Sequence, residues 1–402
     1  MTAFPKTSKN LSRRGFIGAS ALAPAALMLQ AGEAHAAANT RAQLAAVHSG
    51  SPAHQLLYKT DEFFIAHRGA GNISPEHTAY AYAESVRRGA LAVEISVRTT
   101  SDGQFVCMHD TNIKRTTGAS MDVRGHTLAE LRQYKVNMRK NLGEKTDLYD
   151  IPTLEEAIAA VDAVPAGGEY ASVGGKKVVL FLEAKDGPAQ AGLVKFITER
   201  GLQRRTVIKM YRDGSGGFKP TSRYLKLANS AGCATWCYFD GGDPIDKISA
   251  MARHENVDAI GVPYYEKPTG VSQGSMSEEN VRALTGLGKA VIVWEIHRRS
   301  AYEKYKALGV KGFMCPDPYW VIGDPFDSSV KIKTGKRPHG MLPADPSVAA
   351  DMPDLTGTAI VHNQRYDESV LLGPLANYTT REKYTLDFSM KSVSYTHLRA
   401  HE

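Results

Sequence analysis

Short apolar runs alternate with amphipathic stretches from residue 63 to about residue 318. The runs 63–67, 91–97, 104–109, 178–184, 206–210, 233–239, 258–263 and 290–296, with a last one at 312–315, have strand length and are rich in β-branched and aromatic residues. Between most of them apolar residues recur at helical spacing, as in 75–88, 153–162, 188–200, 245–254, 278–287 and 300–308. Strands alternating with helices over this length predict a parallel sheet, and their number predicts an α/β barrel closed by eight strands. The doubly wound open sheet competes, but no Gly-x-Gly-x-x-Gly fingerprint stands at a strand-to-helix turn.

One connection breaks the alternation. Only residues 99–103 separate the second and third runs, too few for a crossover helix, so this pair reads as a hairpin. Residues 111–150 then form a long polar excursion expected to cover part of the barrel mouth. The barrel is expected to span 60–323. Residues 324–355, with Pro325, Pro338, Pro343, Pro346 and Pro353, read as a linker. Strand character returns at 358–362, 369–372 and 383–389, so 356–392 reads as the start of a truncated β-sandwich-like module, for which a glycan or cell-wall contact is a possible use. Residues 393–402 resemble the translation of a transposase-based sequencing adapter, which removes His397 and His401 from the ligand candidates.

Net charge is +7, and residues 1–36 carry three of those charges through Lys6, Lys9, Arg13 and Arg14 against Glu33. The remaining excess is too small to argue for nucleic acid or an anionic membrane as partner. Those first residues also form a pattern. Arg13 and Arg14 precede Phe16, a mild apolar run follows to Leu29, and Ala34-His35-Ala36 closes the segment. This resembles a twin-arginine export signal cleaved after Ala36, with no stable membrane insertion afterwards and a periplasmic or extracellular location. Cys107, Cys233, Cys237 and Cys315 all lie in apolar, strand-like runs and read as buried free thiols. Cys233 and Cys237 share one strand face ~13 Å apart, too far to bridge.

The chemistry concentrates in 63–118. His67 and Arg68 stand at the C-terminal end of the first strand, the face on which parallel barrels carry their sites. Ser74 and Pro75 read as the cap and first position of the next helix, with Glu76 following and His77 expected on the helix surface. Glu94 and Ser96 are two apart in a strand and share a face, and His109 ends the third strand. Glu183 and Lys185 are again two apart at a strand end. Two imidazoles can serve as acid and base near neutral pH, and cations suit the negative charge of a phosphoryl group.

His67-Arg68-Gly69, Pro75-Glu76-His77-Thr78, Glu94-x-Ser96, Asp102-Gly103, His109-Asp110, Arg115-Thr116-Thr117-Gly118 and Glu183-x-Lys185, in that order, resemble the glycerophosphodiester phosphodiesterase family. The resemblance runs from about Phe63 to Pro318 and includes Trp294 and the segment Gly309 to Pro318. It implies a TIM barrel and metal-assisted hydrolysis of glycerophosphodiesters to glycerol 3-phosphate and an alcohol. By position it implies His67 and His109 as the acid/base pair, Arg68 and Lys185 on the phosphate, and Glu76 orienting the His67–Arg68 corner. Glu94, Ser96 and Glu183 would hold Ca2+ or Mg2+, and Trp294 would line the pocket. Ser96 departs from the pattern, which has Asp there, and a hydroxyl brings no charge to a divalent ion. Glu295 is the candidate for a compensating carboxylate. Two alternatives stand beside hydrolysis: a phospholipase D-like lyase acting on lysophospholipid, and a catalytically weak phosphodiester-binding protein.

Overall fold

The structure, a computed structural model, describes residues 50–142, 146–167, 173–264, 274–297, 299–318 and 321. The segments read as export signal (1–36), linker (324–355), β-module (356–392) and adapter-like tail (393–402) lie outside the described residues.

The strands alternate inward and outward with period two, and that parity builds the molecule. They are β1 (Phe63–Ala66), β2 (Ala92–Thr99), β3 (Phe105–Cys107), β4 (Val179–Ala184), β5 (Thr206–Tyr211), β6 (Ala234–Tyr238), β7 (Ala259–Pro263), β8 (Ala290–Trp294) and β9 (Gly312–Cys315). Without β3 these make a closed ring of eight parallel strands, in which β1 pairs with both β9 and β2. Phe63, Ile65, Ala92, Val179, Phe181, Val207, Trp236, Ala259, Ala290, Ile292 and Met314 fill the interior. Their outward neighbours, among them Val93, Ile95, Leu180, Leu182, Ile208 and Cys237, pack under the helices. The fold is the TIM barrel that the alternation predicted.

β3 pairs antiparallel with β2, Val97 opposite Cys107 and Thr99 opposite Phe105, so the short connection is a hairpin outside the ring. Residues 111–150 are less purely polar than their composition implied. Ile113, Val123, Leu131, Val136, Met138 and Leu142 form a small core of their own with Val106, Met108 and Ile151. Below the barrel, Ala53, Leu56 and Leu57 join the interior cluster, so the packed unit begins before residue 60.

Two local readings are corrected. The helix expected at 75–88 begins at Ala79 and ends at Arg87, capped by Thr78, whose hydroxyl accepts from the Ala81 amide. Ser74 and Pro75 belong instead to a tight excursion in which Arg68, Ala70 and His77 adopt positive φ (56°, 60° and 58°), a sparsely populated region for such residues. That excursion turns Glu76 inward. It also buries His77, expected on the surface, whose Nδ1 lies 2.5 Å from the Tyr82 hydroxyl. All four cysteines are buried free thiols. Among the described residues, no helix is long and apolar enough to cross a membrane.

Candidate active site

The inward stripe of each strand is apolar at the bottom and polar at the top. In steps of two residues, Ala92 leads to Glu94 and Ser96, Val179 and Phe181 to Glu183, Val207 to Lys209, and Trp236 to Tyr238. Strand parity thus delivers these side chains to the C-terminal mouth, and His67 continues the inward stripe of β1 beyond Ile65.

His67 is 2% exposed. Its Nδ1 lies 3.1 Å from Glu295 Oε2, and its Nε2 lies 3.8 Å from Glu94 Oε2 and accepts from Arg68 Nε at 3.3 Å. His109 sits nearer the solvent, with Nδ1 2.8 Å from Asp110 Oδ1, while its backbone carbonyl accepts from Arg98. It lies within electrostatic reach of Arg68, Lys185 and Glu183. Burial pushes His67 down to about 4, against the pull of Glu295. Burial likewise pushes His109 down to about 3, against the pull of Asp110. Both imidazoles are therefore neutral near pH 7, each with a carboxylate at Nδ1, an arrangement that favours a proton on Nδ1 and a lone pair on Nε2.

A chain of ion pairs joins the two histidine corners. Arg68 Nη1 donates to Glu76 Oε1 at 3.1 Å, and Arg115 donates to both Glu76 oxygens at 2.7 and 2.8 Å. Arg115 Nε also donates to Asp110 Oδ2 at 2.7 Å, and Asp110 holds His109. Glu76 is buried, so its two guanidinium partners compensate a charge that would otherwise be costly there. The resemblance pointed to Glu76; Arg115 was visible only as the first residue of Arg-Thr-Thr-Gly, with no role attached.

The floor is a carboxylate and ammonium cluster. Glu94 Oε1 accepts from Ser96 Oγ at 3.1 Å and from Lys209 Nζ at 3.0 Å. Lys209 Nζ also lies 2.8 Å from Glu183 Oε2, while Lys185 Nζ (3.1 Å) and the Tyr238 hydroxyl (2.7 Å) donate to Glu183 Oε1. Burial would raise the Glu183 carboxyl, but Lys185 and Lys209 outweigh it and hold it at about 2. Glu94 is also held well below the usual carboxylate range, burial being outweighed chiefly by Lys209. Trp294 packs edge-on against Tyr238, ring centroids 5.4 Å apart, on the wall above. Lys209 and Tyr238 were missed from the sequence. The signal for Lys209 was available: a lysine at an inward position of an otherwise apolar strand.

The ligand set expected for Ca2+ or Mg2+ can be tested against this cluster. Ca2+ needs several oxygen ligands at roughly 2.3–2.6 Å. Here the space shared by Glu94 and Glu183 is taken by an ammonium, and Ser96 turns its hydroxyl proton to Glu94. Glu295 lies against the other ring nitrogen of His67, and among the described residues no group of three or more His, Cys, Asp or Glu is placed to hold a metal ion. As arranged, Glu94, Ser96 and Glu183 do not fit a divalent cation.

Residues 67–207 match the glycerophosphoryl diester phosphodiesterase family. A glycerophosphodiester phosphodiesterase of Caldanaerobacter subterraneus subsp. tengcongensis is 25% identical over 264 residues, covering 64% of this chain and 95% of that protein. Human glycerophosphodiester phosphodiesterase 1 is 39% identical over 97 residues, 24% of this chain and 29% of that protein. A phosphodiesterase of Oleispira antarctica, solved with the product sn-glycerol-3-phosphate, shares the fold at a TM-score of 0.50 and 19% identity, covering 65% of this chain and 95% of that one. The closed ring of eight parallel strands makes this a TIM barrel, and residues 67–207 of it are similar to the glycerophosphoryl diester phosphodiesterase family.

Proposed function

We propose that the barrel hydrolyses glycerophosphodiesters to glycerol 3-phosphate and an alcohol, with His67 and His109 exchanging the protons. The observation that carries this reading is a pair of neutral imidazoles, each backed by a carboxylate at Nδ1, on a rim that also holds Arg68 and Lys185. A water oxygen forms the new bond to phosphorus and the bond from phosphorus to the alcohol oxygen breaks. One imidazole takes the proton from water, and the other supplies one to the departing alcohol. The free protein holds both rings neutral, so the acid partner gains its proton as the anionic diester arrives and raises its proton affinity. Arg68 and Lys185 hold the phosphate oxygens, Glu76 keeps Arg68 in place, and Trp294 forms the pocket wall.

No step is routed through a divalent cation, because Lys209 stands where the resemblance would put Ca2+ or Mg2+. The product bound to the Oleispira antarctica phosphodiesterase supports a small glycerol-based substrate. The modest net charge argues against nucleic acid. Export to the periplasm or cell exterior rests on residues 1–36, and any glycan or cell-wall contact on 356–392, from sequence alone.

The test is purified protein supplied in parallel with glycerophosphocholine and with lysophosphatidylcholine. Release of glycerol 3-phosphate from the first is expected. Turnover of the lysophospholipid alone would favour the lyase, and binding without turnover of either would favour a phosphodiester-binding protein.

A further inference from the structure

We propose that Lys209 is a built-in substitute for a divalent cation, so that this phosphodiesterase works without one; the inference rests on the phosphodiesterase reading above. Lys209 rises from the inward stripe of β5, and its Nζ sits between Glu94 Oε1 (3.0 Å) and Glu183 Oε2 (2.8 Å). Lys209 is 5% exposed, and its ammonium lies 5.5 Å and 5.3 Å from the ring centroids of Trp236 and Tyr238, whose faces favour a cation. Three of the four Glu94 and Glu183 oxygens already accept a hydrogen bond, and the fourth, Glu183 Oε2, faces the Lys209 ammonium at 2.8 Å. Glu94 Oε1 has Lys209 and Ser96, Glu94 Oε2 has the Arg68 amide at 3.2 Å, and Glu183 Oε1 has Lys185 and Tyr238.

Charge points the same way as geometry. Two carboxylates with one ammonium carry a net charge of minus one. The expected set of two Glu and one Asp around a divalent ion carries that same charge. Ser96 and Lys209 are therefore two halves of one exchange: the serine removes an anion, and the lysine replaces two positive charges with one. A divalent ion added to the present cluster would sit beside an ammonium with one carboxylate too few, a repulsion that low-polarity surroundings strengthen. Lys209 acts as a positioning residue. It neutralises Glu94 and Glu183 so that an anionic phosphate can approach, and it keeps Glu94 fixed against Arg68 and His67.

The experiment compares turnover of glycerophosphocholine in excess EDTA, in Ca2+ and in Mg2+, with calorimetric titration of each metal into the same protein. The wild-type chain is expected to keep its rate within about twofold in all three solutions and to show no stoichiometric metal binding. Lys209→Met is expected to lose about 10²-fold or more in kcat in EDTA, the scale of removing one preorganised charge-stabilising group. The double variant Ser96→Asp, Lys209→Ala restores the third carboxylate and empties the ammonium position. It is expected to bind Ca2+ and to be active only with metal. Wild-type activity that disappears in EDTA and returns with Ca2+ or Mg2+ would overturn the proposal. So would stoichiometric wild-type metal binding that Glu94→Gln abolishes. Should the chain turn over no diester in any solution, the phosphodiesterase reading fails, and calorimetry still decides whether Lys209 excludes the metal.

Discussion

At the scale of single residues, proton position governs the site. Replacing His67 or His109 by Ala removes one of the two proposed proton-transfer partners and is expected to cost roughly 10²–10⁴ in kcat with the fold retained, read by initial rates and circular dichroism. Acid should also weaken the fold. Burial holds His67 near 4 and His109 near 3, while the unfolded chain returns them to about 6.5. Below pH 6.5 the unfolded chain binds protons that the folded one refuses, so stability falls as pH drops from about 6.5 toward 4. Glu183, held at about 2 against an ordinary 4.5, adds its own loss below 4.5. Urea unfolding at pH 7, 5.5 and 4 should show the midpoint falling at each step; a midpoint unchanged between 7 and 4 would contradict the buried neutral imidazoles. Much of this site could be read from short strings, because His67, Arg68, His109, Glu183 and Lys185 sit at or just past strand ends, and Glu94 on the inward stripe of β2, where neighbours in sequence are neighbours on the rim. Lys209 was legible only as an inward lysine in an apolar strand; its partners, and those of Tyr238 and Arg115, were not, since they are 115, 55 and 39 residues away and only the closed ring brings them together.

At the scale of elements, the period-two parity of the strands does most of the positioning. It was legible wherever a run was apolar, and it failed where backbone geometry overrode pattern. Residues 68–78 look like a helix approach but fold as a tight, partly left-handed excursion, because Glu76 is drawn inward to two arginines. Removing that draw tests the point. Glu76→Ala leaves the buried Arg68 without its carboxylate and is expected to cost about 3–5 kcal/mol in urea unfolding, with Glu76→Gln costing less. Layering inside the ring imposes a second constraint. Gly261 of β7 faces the barrel interior opposite Trp236 and Tyr238, and a Cβ there would lie 2.6 Å from Trp236 Nε1 and 2.5 Å from Tyr238 Cβ. Gly261→Ala is thus expected to overpack the layer just beneath Lys209, costing about 1–3 kcal/mol by thermal or urea unfolding.

At the scale of the whole molecule, the ring is complete within the described residues: β9 pairs with β1 and β1 with β2. Every pairing that closes it lies between Phe63 and Cys315, so a chain ending after residue 323 is expected to keep its turnover; loss of activity on that truncation would place part of the catalytic unit downstream. The architecture was the most legible level, because alternation of strand and helix is a repeated signal and one misjudged helix start does not alter it. The central claim is that a rim built on His67 and His109 splits glycerophosphodiesters. Its most direct test is the amount of glycerol 3-phosphate released from glycerophosphocholine by the wild-type chain, by His67→Ala and by His109→Ala, side by side in one buffer. Release by the wild-type chain and a drop of at least about 10²-fold in each variant are expected; near-native release by either variant, or none from the wild-type chain, would overturn the assignment of the two histidines.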